Sequence, residues 1–91
     1  MKFTVVWTSQ AEQELAALWL AASDRAAVTR GTRDAETLMR SDPENLGESR
    51  VGPLRILLEP PLGFVFSVSP DDRLVKVVHV AWAWRRQKNG S

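Results

Sequence analysis

The stretch Leu54–Trp84, LRILLEPPLGFVFSVSPDDRLVKVVHVAWAW, contains three apolar runs separated by two turn signals. The runs are rich in Val, Ile, Leu and Phe, the residue types that strands favour. Pro60-Pro61 separates the first run from the second, and the segment Ser69–Asp72 separates the second from the third. Proline, serine and aspartate are common in turns. The stretch therefore predicts three consecutive antiparallel strands.

Alternation along the first two runs assigns side chains to the two faces of this sheet, because successive strand residues point to opposite sides. The predicted core face holds Leu54, Ile56, Leu58, Leu62, Phe64, Phe66 and Val68. The predicted open face holds Arg55, Leu57, Glu59, Gly63, Val65, Ser67 and Ser69. In the third run the alternation changes phase between Val77 and Val78, which predicts a β-bulge or a strand buried on both sides.

Upstream of this stretch, the pattern predicts one strand and two helices. Residues Lys2–Trp7 alternate, which predicts a strand. Ser9 and Glu12 have the spacing of a capping box, so a helix is expected to start there. Asp24 is the expected N-cap of a second helix, which should end before Pro43. The apolar stripes of the two helices are Ala11, Leu15, Leu18, Trp19 and Ala22, followed by Val28, Gly31, Ala35, Leu38 and Met39.

These elements predict one α+β domain spanning residues 1–91. The order is β-α-α-β-β-β, with a helical hairpin packed on one face of a four-stranded antiparallel sheet. The other face of the sheet is expected to stay open. The residues expected in the core are Leu15, Trp19, Leu38, Phe64 and Phe66.

Composition narrows the classes of function. The chain has no Cys and a single His, so disulfides, thiolate chemistry and a zinc site are not expected, and no cofactor is predicted. The N-terminal segment MKFTVVWTSQ has neither the apolar core of a signal peptide nor a membrane span. We therefore expect a cytoplasmic protein with no membrane partner.

Charge is unevenly distributed along the chain. Residues 1–49 contain five basic and eight acidic side chains, for a net charge of −3. Residues 50–91 contain seven basic and three acidic side chains, for a net charge of +4. The strand-rich half is therefore suited to an anionic partner, either a nucleic acid or an acidic protein segment, although solvated arginines explain the pattern equally simply.

Two residues are candidates for catalysis. If Val78, Val80 and Trp82 face the helices, His79 lies on the open face with Arg55. His79 is then a candidate acid or base near neutral pH, and Arg55 a candidate for stabilising negative charge. A structural interpretation of Arg55 is an ion pair with Glu59, Asp42 or Glu48. The candidate binding residues are Arg50, Arg55, Arg73, Trp84, Arg85 and Arg86.

The segments VVWTSQAEQELAALW, ESRVGPLRILLEPPLGFVFSV and DDRLVKVVHVAW, in this order around a second helix that ends in Ser-Asp-Pro, resemble the RelE/ParE superfamily of type II toxins. The resemblance spans about residues 3 to 84. It implies a small bacterial toxin that forms a hetero-oligomer with a cognate antitoxin. Members of this superfamily are ribosome-dependent mRNA endonucleases, DNA gyrase inhibitors, or toxins of unknown target.

The resemblance to the endonucleases is incomplete. Their basic position on the second strand is matched by Arg55, but their third-strand Arg corresponds to Gly63 or Phe64, and their C-terminal Arg is matched by Arg85 or Arg86 only after a shift. The chain also has no Tyr. We therefore predict a toxin that inhibits growth by binding a macromolecular target. The alternatives are a ribosome-dependent mRNA endonuclease and a non-toxic interaction domain of the same fold.

Overall fold

The computed structural model of the chain describes residues 2–49 and 52–83. The first part contains a strand and two helices followed by a short 3-10 turn, and the second part is a three-stranded meander. The elements are β1 (Thr4–Trp7), α1 (Ser9–Ala21), α2 (Arg25–Ser41), a 3-10 turn (Pro43–Asn45), β2 (Glu48–Ser49), β3 (Leu54–Glu59), β4 (Leu62–Ser69) and β5 (Leu74–Trp82).

The strands form one sheet in the order β1-β5-β4-β3-β2. This confirms the predicted α+β class, with the helical hairpin on one face of a sheet built mainly from antiparallel strands. Two details differ from the prediction. The two-residue strand β2 is added at one edge, and β1 pairs with β5 in parallel, with Thr4 opposite Leu74. Apolar alternation is the same in parallel and antiparallel strands, so the sequence pattern does not reveal this direction.

The core lies between the sheet and the helices. Phe64 and Phe66 are fully buried, as predicted. Trp19 and Leu38 are 40% and 39% exposed, so their assignment to the core was wrong, whereas Leu15 packs against the core from its margin. The buried apolar residues are Ala11, Val28, Ala35, Met39, Leu57, Leu62, Phe64, Phe66, Val75, Val77 and Val80.

Strand β3 presents the opposite face from the one predicted. The two-residue turn Pro60-Pro61, whose peptide bond is cis, sets Glu59 opposite Leu62 and Leu57 opposite Phe64. Odd-numbered residues of β3 therefore share the helix side with even-numbered residues of β4. Leu57 is accordingly buried, and Leu58 is 53% exposed. The prediction placed even-numbered residues of both strands on the core face. In this hairpin each odd-numbered residue of β3 lies opposite an even-numbered residue of β4, so the predicted faces of β3 are exchanged.

The phase change predicted in the last strand is a β-bulge. Val77 lies opposite Phe66 and His79 lies opposite Val65, so Val78 is the extra residue. The bulge lets Val77 and Val80 both face the core and turns His79 to the open face of the sheet. A bulge of this kind re-aims the side chains that follow it.

The structure corrects the predicted N-cap of α1 and confirms that of α2. The N-cap of α1 is Thr8, whose Oγ1 accepts a hydrogen bond from the Ala11 N–H, so the predicted Ser9 capping box is wrong. Asp24 caps α2 as predicted, accepting from the Ala27 N–H. Gly31 in α2 packs against the β3–β4 turn, where a Cβ would lie 3.2 Å from the Glu59 and Pro60 carbonyl oxygens.

Candidate functional site

The open face of the sheet, on the side away from the helices, carries an apolar groove of about 620 Å³. Cross-strand pairing places Ile56, Val65 and His79 side by side on this face. Leu58 forms an exposed wall of the groove. The residues lining the groove are Gly47, Glu48, Ile56, Leu57, Leu58, Gly63, Val65, His79, Ala81, Trp82 and Ala83.

Small residues make the floor of this groove low. Gly63 on β4 is paired with Ala81 on β5, so no large side chain stands above the backbone there. A Cβ at Gly63 would lie 3.2 Å from the Cδ2 atom of Leu58 and 3.6 Å from the Cα of Ala83. The floor of the groove is therefore low and closely packed.

His79 stands at the rim of the groove and is held by α1. Its Nδ1 atom lies 3.3 Å from Glu14 Oε2 and 3.3 Å from Gln10 Nε2. Glu14 is fixed in turn, because its Oε1 accepts a 2.9 Å hydrogen bond from the Val80 N–H and its Oε2 accepts one from Gln10. When Nδ1 carries the proton and donates to Glu14, Nε2 is left as a hydrogen-bond acceptor.

The sheet topology explains why a helix reaches this strand. Strand β1 pairs with β5 only as far as Val77, and the Thr8 N–H then donates to the Val77 carbonyl. The chain continues directly into α1, whose first turns run along the edge of β5 beyond that point. Glu14 satisfies the Val80 N–H, which would otherwise be left on an open sheet edge.

These contacts set the protonation of Glu14. Partial burial raises the pKa of its carboxyl group, but hydrogen bonds from Val80 and Gln10 and the contact with His79 together lower this pKa by more, so it lies below the ordinary value. A depressed pKa in the folded state means that ionised Glu14 stabilises the fold at neutral pH. That contribution is lost as the pH falls through the pKa of the folded state.

Glu14→Gln should therefore change the pH dependence of stability. At pH 7 the variant should be less stable than the parent, because an amide is a weaker acceptor than a carboxylate for the Val80 N–H. The difference should begin to shrink near pH 4.3, roughly the ordinary pKa of Glu, because the unfolded chain then binds a proton, and it should be gone below the lower pKa of the folded state. Urea unfolding at several pH values measures this. Glu12→Gln, which removes a charge from an exposed position of the same helix, is the control, and an equal pH dependence for both variants would contradict the assignment.

The prediction that Arg55 and His79 share the open face is wrong. It lies opposite Phe66, on the helix side of β3. Its Nε atom donates a 2.8 Å hydrogen bond to the Leu46 carbonyl, and its Nη2 atom lies 3.5 Å from the Gly47 carbonyl. Arg55 therefore anchors the loop between α2 and β2, and its guanidinium is not directed into the groove.

Of the other predicted cations, Arg73 is the one that lies among the described residues, and it is away from the groove. Arg73 lies in the β4–β5 turn with a positive φ of 54°, and its guanidinium carbon is 5.9 Å from the centroid of the Phe3 ring. This turn is at the opposite end of β5 from Ala81 and Trp82. The predicted binding residues Arg50, Trp84, Arg85 and Arg86 lie outside the described residues.

Sequence reasoning missed three residues of this region. Gln10 and Glu14 belong to α1, more than sixty residues before His79 in the sequence, and no local pattern links them. Lys76 lies opposite Ser67 and therefore faces the open side of the sheet. The alternation of β5 upstream of its bulge was the signal that could have placed Lys76 there.

No group of three or more His, Asp or Glu side chains among residues 2–49 and 52–83 is arranged to hold a metal ion. No helix in the same ranges has the length and apolar character needed to span a membrane.

Comparison with solved structures identifies the fold. No protein-family model and no curated protein sequence matches the chain. The RelBE2 toxin–antitoxin complex of Mycobacterium tuberculosis contains a chain that superposes with a TM-score of 0.74 at 14% identity, covering 90% of this chain and 92% of that one. The archaeal RelE–RelB complex of Pyrococcus horikoshii OT3 gives a TM-score of 0.67 at 16% identity, covering 94% and 100%.

The chain has the RelE/ParE toxin fold. The chromosomal ParDE toxin–antitoxin system of P. aeruginosa gives a further match, with a TM-score of 0.62 at 18% identity over 89% of this chain and 96% of the other. RelE-type and ParE-type structures thus match over similar lengths. This confirms the fold expected from the sequence resemblance.

Proposed function

We propose that this chain is the toxin of a type II toxin–antitoxin system, and that it inhibits growth by binding a macromolecular target through the open-face groove. The fold supports the first part, since the similar structures are toxins from toxin–antitoxin systems. A cognate antitoxin is then the expected partner. DNA gyrase and the ribosome are the candidate targets that the sequence resemblance implies.

The chemistry of the groove supports binding over catalysis. None of the described residues that line it is Lys or Arg, and most are apolar. RNA cleavage needs one group to accept the 2′-hydroxyl proton, another to protonate the leaving oxygen, and cations to stabilise the phosphorane. Of the described lining residues only His79 and Glu48 have ionisable side chains. A groove with this lining is suited to an apolar protein surface.

The second candidate function is ribosome-dependent cleavage of mRNA, and one observation favours it. The Glu14 carboxylate holds His79 through Nδ1, so Nε2 is available to accept a proton at the rim of the groove. Paired His and carboxylate side chains of this kind act as general bases in enzymes. His79 is therefore the residue that separates the two candidates.

The experiment adds purified protein to a translating extract and maps the 5′ ends of the mRNA. The proposal expects intact mRNA, both with the parent chain and with His79→Ala. Cleavage at fixed codon positions that disappears with His79→Ala would overturn the proposal in favour of the endonuclease. A chain that affects neither mRNA nor growth would be a non-toxic interaction domain.

A further inference from the structure

Between the apolar groove and the β4–β5 turn, the open face of the sheet is polar. Lys76 of β5 is exposed between two buried neighbours, Val75 and Val77, so it points away from the helices. Ser67 of β4 lies directly opposite Lys76 and points to the same side. We call Lys76 and Ser67 the polar pair. The row of cross-strand neighbours that contains them is Val6, Lys76, Ser67 and Leu54.

The polar pair borders the groove. Along β4 the residues on the open face include Ser67, Val65 and Gly63, and the last two line the groove. Strand residues advance about 3.4 Å each, so the row of the polar pair lies about 7 Å from Val65 and about 14 Å from Gly63. Leu58, the exposed wall of the groove, lies opposite Gly63. One bound segment can therefore contact the polar pair and Leu58 together.

Lys76 is the one Lys or Arg side chain that the described strands present on the open face. The other basic residue in these strands is Arg55, which lies on the helix side. Within residues 2–49 and 52–83, the Lys76 side chain forms no ion pair or hydrogen bond. Glu48 is on the same face, but β4 and β3 lie between β5 and its strand, which puts the two strands about 14 Å apart. The Lys76 ammonium group is thus open to an incoming anion.

The polar pair has the donors that a carboxylate needs. Residues directly opposite each other on antiparallel strands have Cβ atoms about 5 Å apart. The Lys76 ammonium group has three N–H donors and the Ser67 hydroxyl has one O–H donor, so the two oxygens of one carboxylate can accept from both side chains. Hydrogen bonds to an ionised acceptor are stronger than those between neutral groups. Val6, which is 37% exposed, lies beside Lys76 and gives this position an apolar border.

The surroundings of Lys76 favour a protein over a nucleic acid. A nucleic acid carries a phosphate at every nucleotide, and its binding depends on Lys and Arg side chains that neutralise several phosphates at once. The described strands offer one such cation on this face, next to a groove that is mostly apolar. This arrangement is complementary to a protein segment with one carboxylate and an apolar side chain beyond it.

We infer that the target segment bound by the open face belongs to a protein and carries an acidic side chain, and that the polar pair binds its carboxylate. The inference rests on the proposed function, because it takes the open face as the target site. It adds a spacing, since the carboxylate and the apolar side chain that contacts Leu58 must lie about 14 Å apart, which is about four residues of an extended segment. Lys76 thus selects among apolar segments, and the groove supplies contact area.

Charge reversal at Lys76 tests the inference in cells. The measurement is the level of folded chain, set by the inducer, that halves colony formation. This level should rise at least about tenfold for Lys76→Glu, because two carboxylates then face each other, and less than about threefold for Lys76→Arg, which keeps the charge. Arg30→Glu is the matched control, since it makes the same charge change at an exposed position of α2, and it should behave as the parent. Circular dichroism should show equal folding, because Lys76 and Arg30 are both exposed.

A chemical test identifies the group that Lys76 contacts. A water-soluble carbodiimide is added to extracts of cells whose growth the chain inhibits, because this reagent joins a lysine amine to a carboxylate in contact with it. Mass spectrometry should find an isopeptide bond between Lys76 Nζ and an Asp or Glu of one partner protein. The bond should be absent with Leu58→Glu, which disrupts the groove, and with Lys76→Arg, which has no primary amine.

The possible outcomes separate the inference from the proposed function. If the parent chain does not inhibit growth, the proposed function has failed. If Lys76→Glu inhibits growth as strongly as the parent, the inference alone has failed. The inference is also overturned if Lys76→Glu loses inhibition but carbodiimide joins Lys76 of the parent to no carboxylate, and ultraviolet crosslinking of the parent to RNA would then identify the anion as a phosphate.

Discussion

Phe64→Ala should lower the free energy of unfolding by about 3 to 5 kcal/mol, the usual cost of removing a buried phenyl ring. Phe64 is fully buried at the centre of the sheet, between Leu57 on β3 and Val80 on β5. Its ring packs edge-on against Trp7, with centroids 6.2 Å apart and an interplanar angle of 82°. Small domains have about 5 to 15 kcal/mol of stability in total, so the variant should lose a large fraction of its stability and unfold at a clearly lower urea concentration.

Urea unfolding followed by tryptophan fluorescence measures this loss. Leu58→Ala is the matched control, because Leu58 lies on the neighbouring strand but is largely exposed, and it should lose less than about 1 kcal/mol. If the two variants lost the same free energy, the assignment of β3 and β4 residues to the two faces of the sheet would be wrong.

The second large effect concerns function. Leu58→Glu should abolish growth inhibition, because it places a charge in the wall of the apolar groove that we propose binds the target. A carboxylate buried against an apolar surface without a partner costs several kcal/mol, which corresponds to a loss of affinity of at least about 100-fold. Plating efficiency after induction of the chain measures the effect.

Leu20→Glu is the matched control for this variant, since it introduces the same charge at another largely exposed leucine, on the opposite side of the sheet. It should remain toxic. Retained toxicity of Leu58→Glu, with protein levels equal to those of the parent, would exclude the open-face groove as the contact with the target.

Much of the fold follows from the sequence because both helices and the four longer strands have a local signal. The structure contains three element boundaries that the sequence predicts. These are the start of α2 at the Asp24 N-cap, the end of α2 before Pro43 and the turn at Pro60-Pro61. The bulge in β5 was visible as a break in alternation at Val78. These features depend on residues that are neighbours in the chain, so a single sequence is sufficient to find them.

The errors came from relations between elements. Which side chains of β3 face the core depends on which residue of β4 lies opposite Glu59. Because β3 has leucine or isoleucine on both faces, its own sequence fits either assignment. The exposure of Trp19 depends on how far α1 diverges from α2. The hold of Glu14 on His79 depends on where β1 stops pairing with β5. None of these is encoded in a periodicity.

The prediction of the candidate site was less accurate than the prediction of the fold, for the same reason. Arg55 and His79 were expected on one face, and the register of the Pro60-Pro61 turn places them on opposite faces. The open-face groove is consequently less basic and more apolar along its described lining than the sequence implied. This difference favours a protein target over direct handling of RNA.

The most direct test of the proposed function measures growth when the chain is expressed alone and together with the protein encoded beside it. The account predicts that expression alone reduces colony formation strongly, that co-expression restores it, and that the two proteins purify as a stable complex. Normal growth during expression of the chain alone, at a level of folded protein confirmed by circular dichroism, would contradict it, as would inhibition that the neighbouring protein leaves unchanged.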